Sequence, residues 1–175
     1  MADTVLIHPN RDKAESKATR VGVILLLLAS AGLKCGAPCS ISIANSRDAV
    51  GWLREWNASF ALLHCVSSYP TPADHANLCW IGELAARFGV PVGYSDHTTE
   101  VMAGALASAA GAAIVEKHLT YDRTAKGPDH AASADAVQFE RYVKLIREAD
   151  RLRGHPGTHV LNIEQDVRTV SRQSL

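Results

Sequence analysis

Hydrophobic and polar residues follow two different spacings in the middle of this chain. Between residues 46 and 56 the apolar side chains recur at helical spacing, which predicts an amphipathic helix. Residues 60–66 instead form a run dominated by apolar side chains. A continuous run of this kind predicts a strand buried on both faces, as in a parallel sheet. The pattern therefore predicts a helix followed by a parallel strand.

This alternation of helix and strand continues to residue 154. The next predicted elements are a helix over 74–88, a strand over 91–97, a helix over 99–110, a strand over 112–118 and a helix starting after residue 135. Asp74 is the predicted N-cap of the first of these helices, and Gly89 is its predicted C-terminal stop. Asp135 and Gln138 form a predicted capping box for the last helix, which ends at Gly154. The order of elements predicts an α/β fold with a parallel sheet.

The first 45 residues follow the pattern less clearly. Residues 5–7 have a weak strand pattern, and the apolar run at 21–28 has two interpretations. It is either a buried helix of the domain or the core of a signal peptide whose small-residue cleavage site would lie at 29–31. The run is too short to span a bilayer. We favour the buried helix, because acidic residues are frequent in the preceding segment.

Length and composition restrict the possible functions. The 175 residues suffice for one core but not for a complete eight-stranded β/α barrel, which typically needs about 250. The 18 basic and 18 acidic residues cancel and form no basic stripe, which argues against a nucleic-acid partner. The four cysteines are too few for a disulfide framework in a chain of this length. We therefore expect a cytoplasmic protein that binds neither nucleic acid nor membrane.

Two histidines stand where consecutive predicted strands end. His97 closes the strand over 91–97, and His118 closes the strand over 112–118. Neighbouring strands lie about 4.8 Å apart, so both imidazoles can reach one divalent metal ion at this edge of the sheet. This is also the edge at which α/β proteins keep their sites. The alternative is that each histidine merely hydrogen-bonds to loop backbone.

Side-chain alternation along the strands adds a second pair of candidates. Ser95 shares a face with His97, and Glu116 shares a face with His118, whereas the intervening residues of both strands point to the other face. One face therefore carries two imidazoles, a carboxylate and a hydroxyl. Such a mixture suits Mn²⁺, Fe²⁺ or Zn²⁺ bound with positions open for a substrate oxygen.

Four short motifs make the chain recognisable. They are Leu-Leu-His-Cys-Val-Ser-Ser-Tyr-Pro-Thr at 62–71, Val-Gly-Tyr-Ser-Asp-His-Thr at 92–98, Glu-Lys-His at 116–118 and Gly-Pro-Asp-His at 127–130. In this order they resemble the C-terminal part of the catalytic barrel of the N-acetylneuraminate (sialic acid) synthase family. The resemblance implies a partial TIM (β/α) barrel, in which parallel strands alternate with helices. It also implies that the early barrel strands and the antifreeze-like domain of the family are lacking.

The resemblance carries an expected reaction. Members of the family condense phosphoenolpyruvate with an N-acetylated hexose, typically N-acetylmannosamine, to form a nine-carbon 2-keto acid and phosphate. They require a divalent metal, usually Mn²⁺, and a homodimer is expected. The alternative is a non-catalytic, truncated fragment that binds only a metal or a sugar.

The resemblance also carries expected roles for individual residues. His97 and His118 match the metal ligands, and Glu116 matches an acid beside the metal, so these three are the implied catalytic residues. The implied substrate-binding residues are Ser67 and Ser95 near phosphoenolpyruvate, and Tyr69 and Asp129 at the acceptor sugar.

The resemblance also divides the chain into three expected parts. Residues 1–45 match the family poorly, residues 46–154 form the synthase-like barrel portion, and residues 155–175 resemble a linker to an absent C-terminal domain. Lysines that would neutralise the phosphate of phosphoenolpyruvate belong to the poorly matched part. Lys13, Lys17 and Lys34 are candidates there without motif support.

Overall fold

A computed structural model describes residues 3–7, 24–29, 43–57, 60–127, 129–157, 161–164 and 166–167. The strands are β1 (Asp3–Ile7), β2 (Ile24–Ala29), β3 (Phe60–Cys65), β4 (Val92–Asp96) and β5 (Val115–Leu119). The helices are α1 (Ile43–Glu55), α2 (Trp80–Phe88), α3 (Ala103–Ala109) and α4 (Ala136–Arg153). Short 3₁₀ helices cover Ala73–His75, His130–Ala132 and Asn162–Glu164. The Lys13, Lys17 and Lys34 candidates lie outside the described residues.

The strands form one sheet in the order β1-β5-β4-β3-β2. The pairs β2–β3, β3–β4 and β4–β5 are parallel, whereas β1 runs antiparallel to β5. The register places Cys65 beside Ser95 and Ser95 beside Glu116. Because the parallel strands point the same way, the loops that follow β3, β4 and β5 meet at one edge of the sheet. The predicted α/β class with parallel strands is confirmed.

The N-terminal segment departs from the predicted pattern. The interpretation of residues 21–28 as a buried helix is wrong, because Ile24–Ala29 is strand β2 and pairs with β3 along its whole length. A short apolar run fits a buried strand as well as a buried helix, and hydrophobic periodicity alone does not separate them. The weak strand at residues 5–7 is confirmed within β1.

The observed ends of helices α2 and α4 test the capping residues predicted from the sequence. Gly89 ends α2 in the left-handed conformation, with φ of 62°, and the Asp135–Gln138 capping box starts α4. Asp74 is not the N-cap of α2, because it lies in a separate 3₁₀ helix and α2 begins only at Trp80. Asn77, with φ of 49°, interrupts the helical conformation between them. The predicted caps at Gly89 and Asp135 are therefore confirmed. The predicted cap at Asp74 is wrong, because left-handed Asn77 separates it from α2.

The core lies between the sheet and the helices that pack on it. Its fully buried members include Leu62, Ile81, Leu84, Val115 and Ile146. Helices α3 and α4 approach closely, because α3 is built almost entirely from small residues. At Gly104 an added Cβ would lie 2.5 Å from the Tyr142 hydroxyl. Tyr142 is thereby held against α3 and reaches the end of β4.

A buried histidine inside β3 gives the fold a dependence on pH. His64 is 1% exposed, its Nε2 donates to the carbonyl of Ala76 at 2.8 Å, and its ring stacks on Tyr94 at 5.7 Å. Burial lowers the pKa of His64 below its ordinary value, and the hydrogen bond to Ala76 opposes this only in part. The unfolded chain therefore takes up a proton at this residue more readily than the folded chain.

We expect the free energy of unfolding to fall as the pH drops below about 6.5, the ordinary pKa of histidine, and to be fully retained above it. One such proton contributes at most about 1.4 kcal/mol per pH unit. Urea unfolding followed by circular dichroism at pH 5.5 and 7.5 measures the dependence. His64→Gln keeps a donor for Ala76 but cannot titrate, so its stability should change less between these pH values. An equal change in both proteins would contradict the assignment to His64.

Candidate metal and substrate site

The two candidate histidines meet at the carboxyl edge of the parallel strands. His97 directly follows β4, and His118 lies near the end of β5. Their rings stack with centroids 5.5 Å apart and planes inclined by 19°. His97 is buried and His118 is half-buried. The strand ends thus bring the two imidazoles side by side at the boundary between core and solvent.

Ser95 joins the histidine pair to Glu116. The Ser95 hydroxyl donates to Glu116 Oε1 at 2.6 Å. Ser95 Oγ also lies 3.3 Å from His97 Nε2. Ser95 and Glu116 are also register partners in the β4–β5 pair. The face predicted from side-chain alternation therefore holds the imidazole, the hydroxyl and the carboxylate side by side, with a hydrogen bond from Ser95 to Glu116.

The tautomer of His97 follows from its second nitrogen. Nδ1 lies 3.1 Å from the carbonyl oxygen of Val66, which can only accept a hydrogen bond, so we assign the proton to Nδ1. Burial lowers the pKa of His97, the bond to Val66 opposes this in part, and nearby His118 lowers it further. His97 is therefore neutral, and its Nε2 lone pair faces the hydroxyl oxygen of Ser95. His97 can therefore contact the backbone of the loop after β3 through Nδ1 and still bind a ligand through Nε2.

Cys65 was not singled out from the sequence, although it adjoins the site. Its sulfur lies 3.6 Å from His97 Nδ1, and the residue is buried. The register that pairs Cys65 with Ser95 would have revealed this position, since β3 and β4 are parallel neighbours. It borders the ring of His97 on the side of the Val66 carbonyl.

Tyr69 covers the histidine pair from the loop after β3. Its ring centroid is 4.1 Å from that of His97 and 6.3 Å from that of His118. The Thr71 amide anchors this loop by donating to the carbonyl of His97 at 2.8 Å. Tyr69 remains 45% exposed, so one part of its ring faces His97 and another part faces solvent.

Ser67 and Asp129 lie on the loops that follow β3 and β5. Ser67 is half-buried close to Tyr69 in sequence, and Asp129 immediately precedes the 3₁₀ helix His130–Ala132. Ring contacts and hydrogen bonds join the other five candidate residues to one another. Of the candidate residues, the structure therefore brings together His97, His118, Ser95, Glu116 and Tyr69.

A buried ion pair lies on the opposite face of the same two strands. Lys117 Nζ is 3.2 Å from Asp96 Oδ2, and the Tyr142 hydroxyl donates to that oxygen at 2.7 Å. Burial lowers the pKa of Lys117, whereas the Asp96 carboxylate raises it. Burial and the nearby Asp96 raise the pKa of Tyr142, which therefore stays a hydroxyl donor. Sequence alternation placed Asp96 and Lys117 on this face but did not identify Tyr142.

The side chains on the histidine face of the sheet suit a divalent ion that takes only some of its ligands from the protein. His97 and His118 offer two imidazoles, and Glu116 adds a carboxylate that is hydrogen-bonded to Ser95 beside His97. Within the described ranges, no group of three or more histidine, cysteine, aspartate or glutamate side chains is placed to hold a metal ion alone. An ion held by the two imidazoles would keep positions open for water or a substrate oxygen.

None of the helices in the described portion has the length and apolar character needed to cross a bilayer.

A family model described as the NeuB family matches residues 33–157. The N,N'-diacetyllegionaminic acid synthase of Legionella pneumophila is 40% identical over 114 residues, which cover 65% of this chain and 32% of that protein. The N-acetylneuraminate-9-phosphate synthase of Mus musculus is 38% identical over 109 residues, covering 62% of this chain and 30% of that protein. The chain thus spans about a third of the length of these curated relatives.

A solved structure is similar over most of the chain. The N-acetylneuraminic acid (sialic acid) synthetase from Leptospira borgpetersenii aligns with a TM-score of 0.74 at 32% identity. The alignment covers 87% of this chain and 51% of the synthetase chain. The predicted fold, part of a β/α barrel, is confirmed by this likeness.

Proposed function

The chain belongs to the NeuB family, and from this we propose that it forms part of a synthase that condenses phosphoenolpyruvate with an N-acetylated hexose and releases phosphate. The product is a nine-carbon 2-keto sugar acid, and N-acetylmannosamine is the acceptor we propose. The observation that carries the proposal is the row of His118, His97, Ser95 and Glu116 at the carboxyl edge of the sheet. The synthase names of the relatives support the same class of product.

We further propose that His97 and His118 hold a divalent metal, and that this metal is Mn²⁺. When bound, such an ion acts as a Lewis acid that polarises the sugar aldehyde. The Val66 carbonyl fixes the Nδ1–H tautomer of His97, so that Nε2 faces the candidate site in its unprotonated form. A hydrogen bond at the remaining nitrogen of a ligand histidine commonly serves this purpose.

Glu116 is the proposed base of the reaction. The Ser95 hydroxyl holds Oε1 at 2.6 Å and thereby orients the carboxylate toward the histidine face. C3 of phosphoenolpyruvate forms its bond to the aldehyde carbon of the sugar, whose oxygen takes up a proton, and C2 thereby becomes electrophilic. In this position Glu116 can position or deprotonate the water that attacks C2. Phosphate then leaves the resulting tetrahedral carbon. Ser95 and Ser67 are the proposed contacts to phosphoenolpyruvate, and Asp129 is a proposed acceptor for sugar hydroxyls.

A second candidate function is a non-catalytic fragment that keeps the metal-binding corner of a synthase. The observation in its favour is coverage, since the chain spans about half of the solved synthetase and a third of the curated relatives. Such a fragment would bind Mn²⁺ through the histidine pair without turning over phosphoenolpyruvate.

Release of phosphate from phosphoenolpyruvate separates the two candidates. The purified chain is assayed with Mn²⁺ and N-acetylmannosamine, beside a His97→Ala His118→Ala variant. Release that requires sugar, metal and both histidines supports the synthase. Mn²⁺ binding through both histidines without release supports the fragment. Release that is unchanged in the double variant would overturn the assignment of the site.

Tyr69 offers a test of acceptor recognition. Its half-exposed ring lies against His97, so it can present a flat face and a hydroxyl to a sugar. We expect Tyr69→Ala to weaken N-acetylmannosamine binding by about 10-fold, equivalent to about 1.4 kcal/mol, and Tyr69→Phe to lose less. Saturation-transfer NMR titration of the sugar measures both variants. Equal binding by Tyr69→Ala and the unmodified chain would contradict the role.

A further inference from the structure

The back face of β4 and β5 carries a cluster that the proposed reaction does not use. Asp96, Lys117 and Tyr142 are all buried, with exposures of 1%, 3% and 1%, and we call them the Asp96–Lys117–Tyr142 network. Asp96 immediately precedes His97 in the chain, and Lys117 immediately precedes His118. The network thus lies next to both candidate metal-binding histidines along the chain but on the opposite face of the sheet. A molecule bound on the histidine face cannot contact it.

The network holds the backbone next to His97 at several points. Asp96 Oδ1 accepts a hydrogen bond from the Thr98 amide at 2.8 Å, and Lys117 Nζ donates to the Thr98 carbonyl. On the other side, the His97 carbonyl accepts from the Thr71 amide at 2.8 Å. Both polar groups of the peptide bond between His97 and Thr98 are therefore fixed, one by the network and one by the loop that carries Tyr69.

Stability alone does not account for such an arrangement. Taking a carboxylate and an ammonium group out of water costs several kcal/mol per ion, and apolar side chains of similar volume often serve a fold equally well. What the ion pair adds is geometry. Asp96 ends β4 and Lys117 lies in β5, so their contact joins the two strands at the points from which His97 and His118 project. Tyr142 ties the same carboxylate to α4.

We infer that Asp96, Lys117 and Tyr142 are positioning residues that set the distance and ring orientation of the histidine pair and, through Thr98, anchor the Tyr69 loop. The inference rests on the proposed metal role of His97 and His118. Outer-sphere partners of metal ligands typically change metal affinity by about 10- to 100-fold when removed. The network acts one step further out, through the backbone rather than through the imidazole rings.

The test removes both charges together. In Asp96→Asn Lys117→Met, the asparagine oxygen still accepts from the Thr98 amide, and no unpaired charge is left buried. We expect the urea midpoint to fall, because Lys117→Met removes the donor to the buried Thr98 carbonyl. We also expect the Kd for Mn²⁺, measured by electron paramagnetic resonance, to rise about 10-fold or more. Ile81→Val is the matched control, because it removes one buried methyl group from α2, a helix that carries no member of the network. It should lower the urea midpoint and leave the Kd unchanged.

A metal-free readout completes the design. Long-range ¹H–¹⁵N NMR of the histidine rings reports the Nδ1–H tautomer of His97 directly. We expect a single tautomer in the unmodified chain and in Ile81→Val, and a mixture in the double variant. A single tautomer with unchanged Mn²⁺ affinity in the double variant would overturn the inference. Absence of Mn²⁺ binding to the unmodified chain would overturn the proposed metal role instead, and the NMR result would still decide whether the network orders the ring.

Discussion

The His97→Ala His118→Ala variant is expected to lose at least about 100-fold in Mn²⁺ affinity, more than the loss typical of an outer-sphere partner. Both imidazoles lie at the same strand edge with centroids 5.5 Å apart, and the described residues supply no alternative group of three donors. The remaining Glu116, hydrogen-bonded to Ser95, would hold the ion as a single carboxylate. Titration of Mn²⁺ followed by electron paramagnetic resonance measures free and bound ion directly.

His75→Ala is the matched control for this experiment. His75 is an exposed histidine in the 3₁₀ helix Ala73–His75. Its Nδ1 lies 3.8 Å from the carboxylate of the neighbouring Asp74, which is the one ion pair it forms with the described residues. Its replacement should leave Mn²⁺ affinity unchanged. Circular dichroism verifies that the double variant keeps its secondary structure. Equal affinities in the unmodified chain and the double variant would rule out the histidine pair as the metal site.

Gly93→Ala is expected to destabilise the fold by about 3 kcal/mol or more, at or above the upper end of the usual cost of overpacking. Gly93 lies in β4, between β3 and β5. An added Cβ would overlap the carbonyl oxygen of Ile114 and would lie 2.5 Å from Leu63 Cδ2. The first of these is backbone, which cannot move away without shifting the strand. A displaced β4 would also displace His97, so Mn²⁺ affinity should fall as well.

Gly82→Ala provides the contrast. Gly82 is exposed in α2, and an added Cβ meets nothing within 4 Å. Because glycine is a poor helix former, the alanine should raise the free energy of unfolding by up to about 1 kcal/mol. Urea unfolding of both variants, with the unmodified chain as reference, gives the two signs. A Gly93→Ala variant as stable as Gly82→Ala would show that β4 is not packed as described.

The sequence predicted the central part of the fold and one face of the site. Residues 60–66 and the strands ending near His97 and His118 are apolar runs with clear boundaries, so their type and order were accessible. The two-residue period of a strand then separated Ser95 and Glu116 from Asp96 and Lys117. These are local regularities of the backbone, and they survive folding because each strand is buried on both faces.

The remaining features depend on contacts between distant segments. Tyr142 reaches Asp96 across 46 positions of sequence, and the His97 tautomer depends on a backbone carbonyl 31 positions earlier. No spacing rule encodes either contact. The strand identity of β2 was equally inaccessible, because its apolar run obtains its conformation from pairing with β3. Local pattern thus determined which residues share a face, whereas tertiary packing determined what holds them there.

The antiparallel pairing of β1 with β5 has a consequence for assembly. β1 occupies the edge of β5 that faces away from β4, from the Asp3–Leu119 pair to the Ile7–Val115 pair. Any additional strand, from this polypeptide or another, can hydrogen-bond to β5 only after β1 has detached. Complementation at that side would therefore be a strand-exchange reaction whose speed is limited by the off-rate of β1. It would speed up with the concentration of the incoming chain until capture of β5 outpaces the re-pairing of tethered β1, at which point the off-rate of β1 sets the maximum.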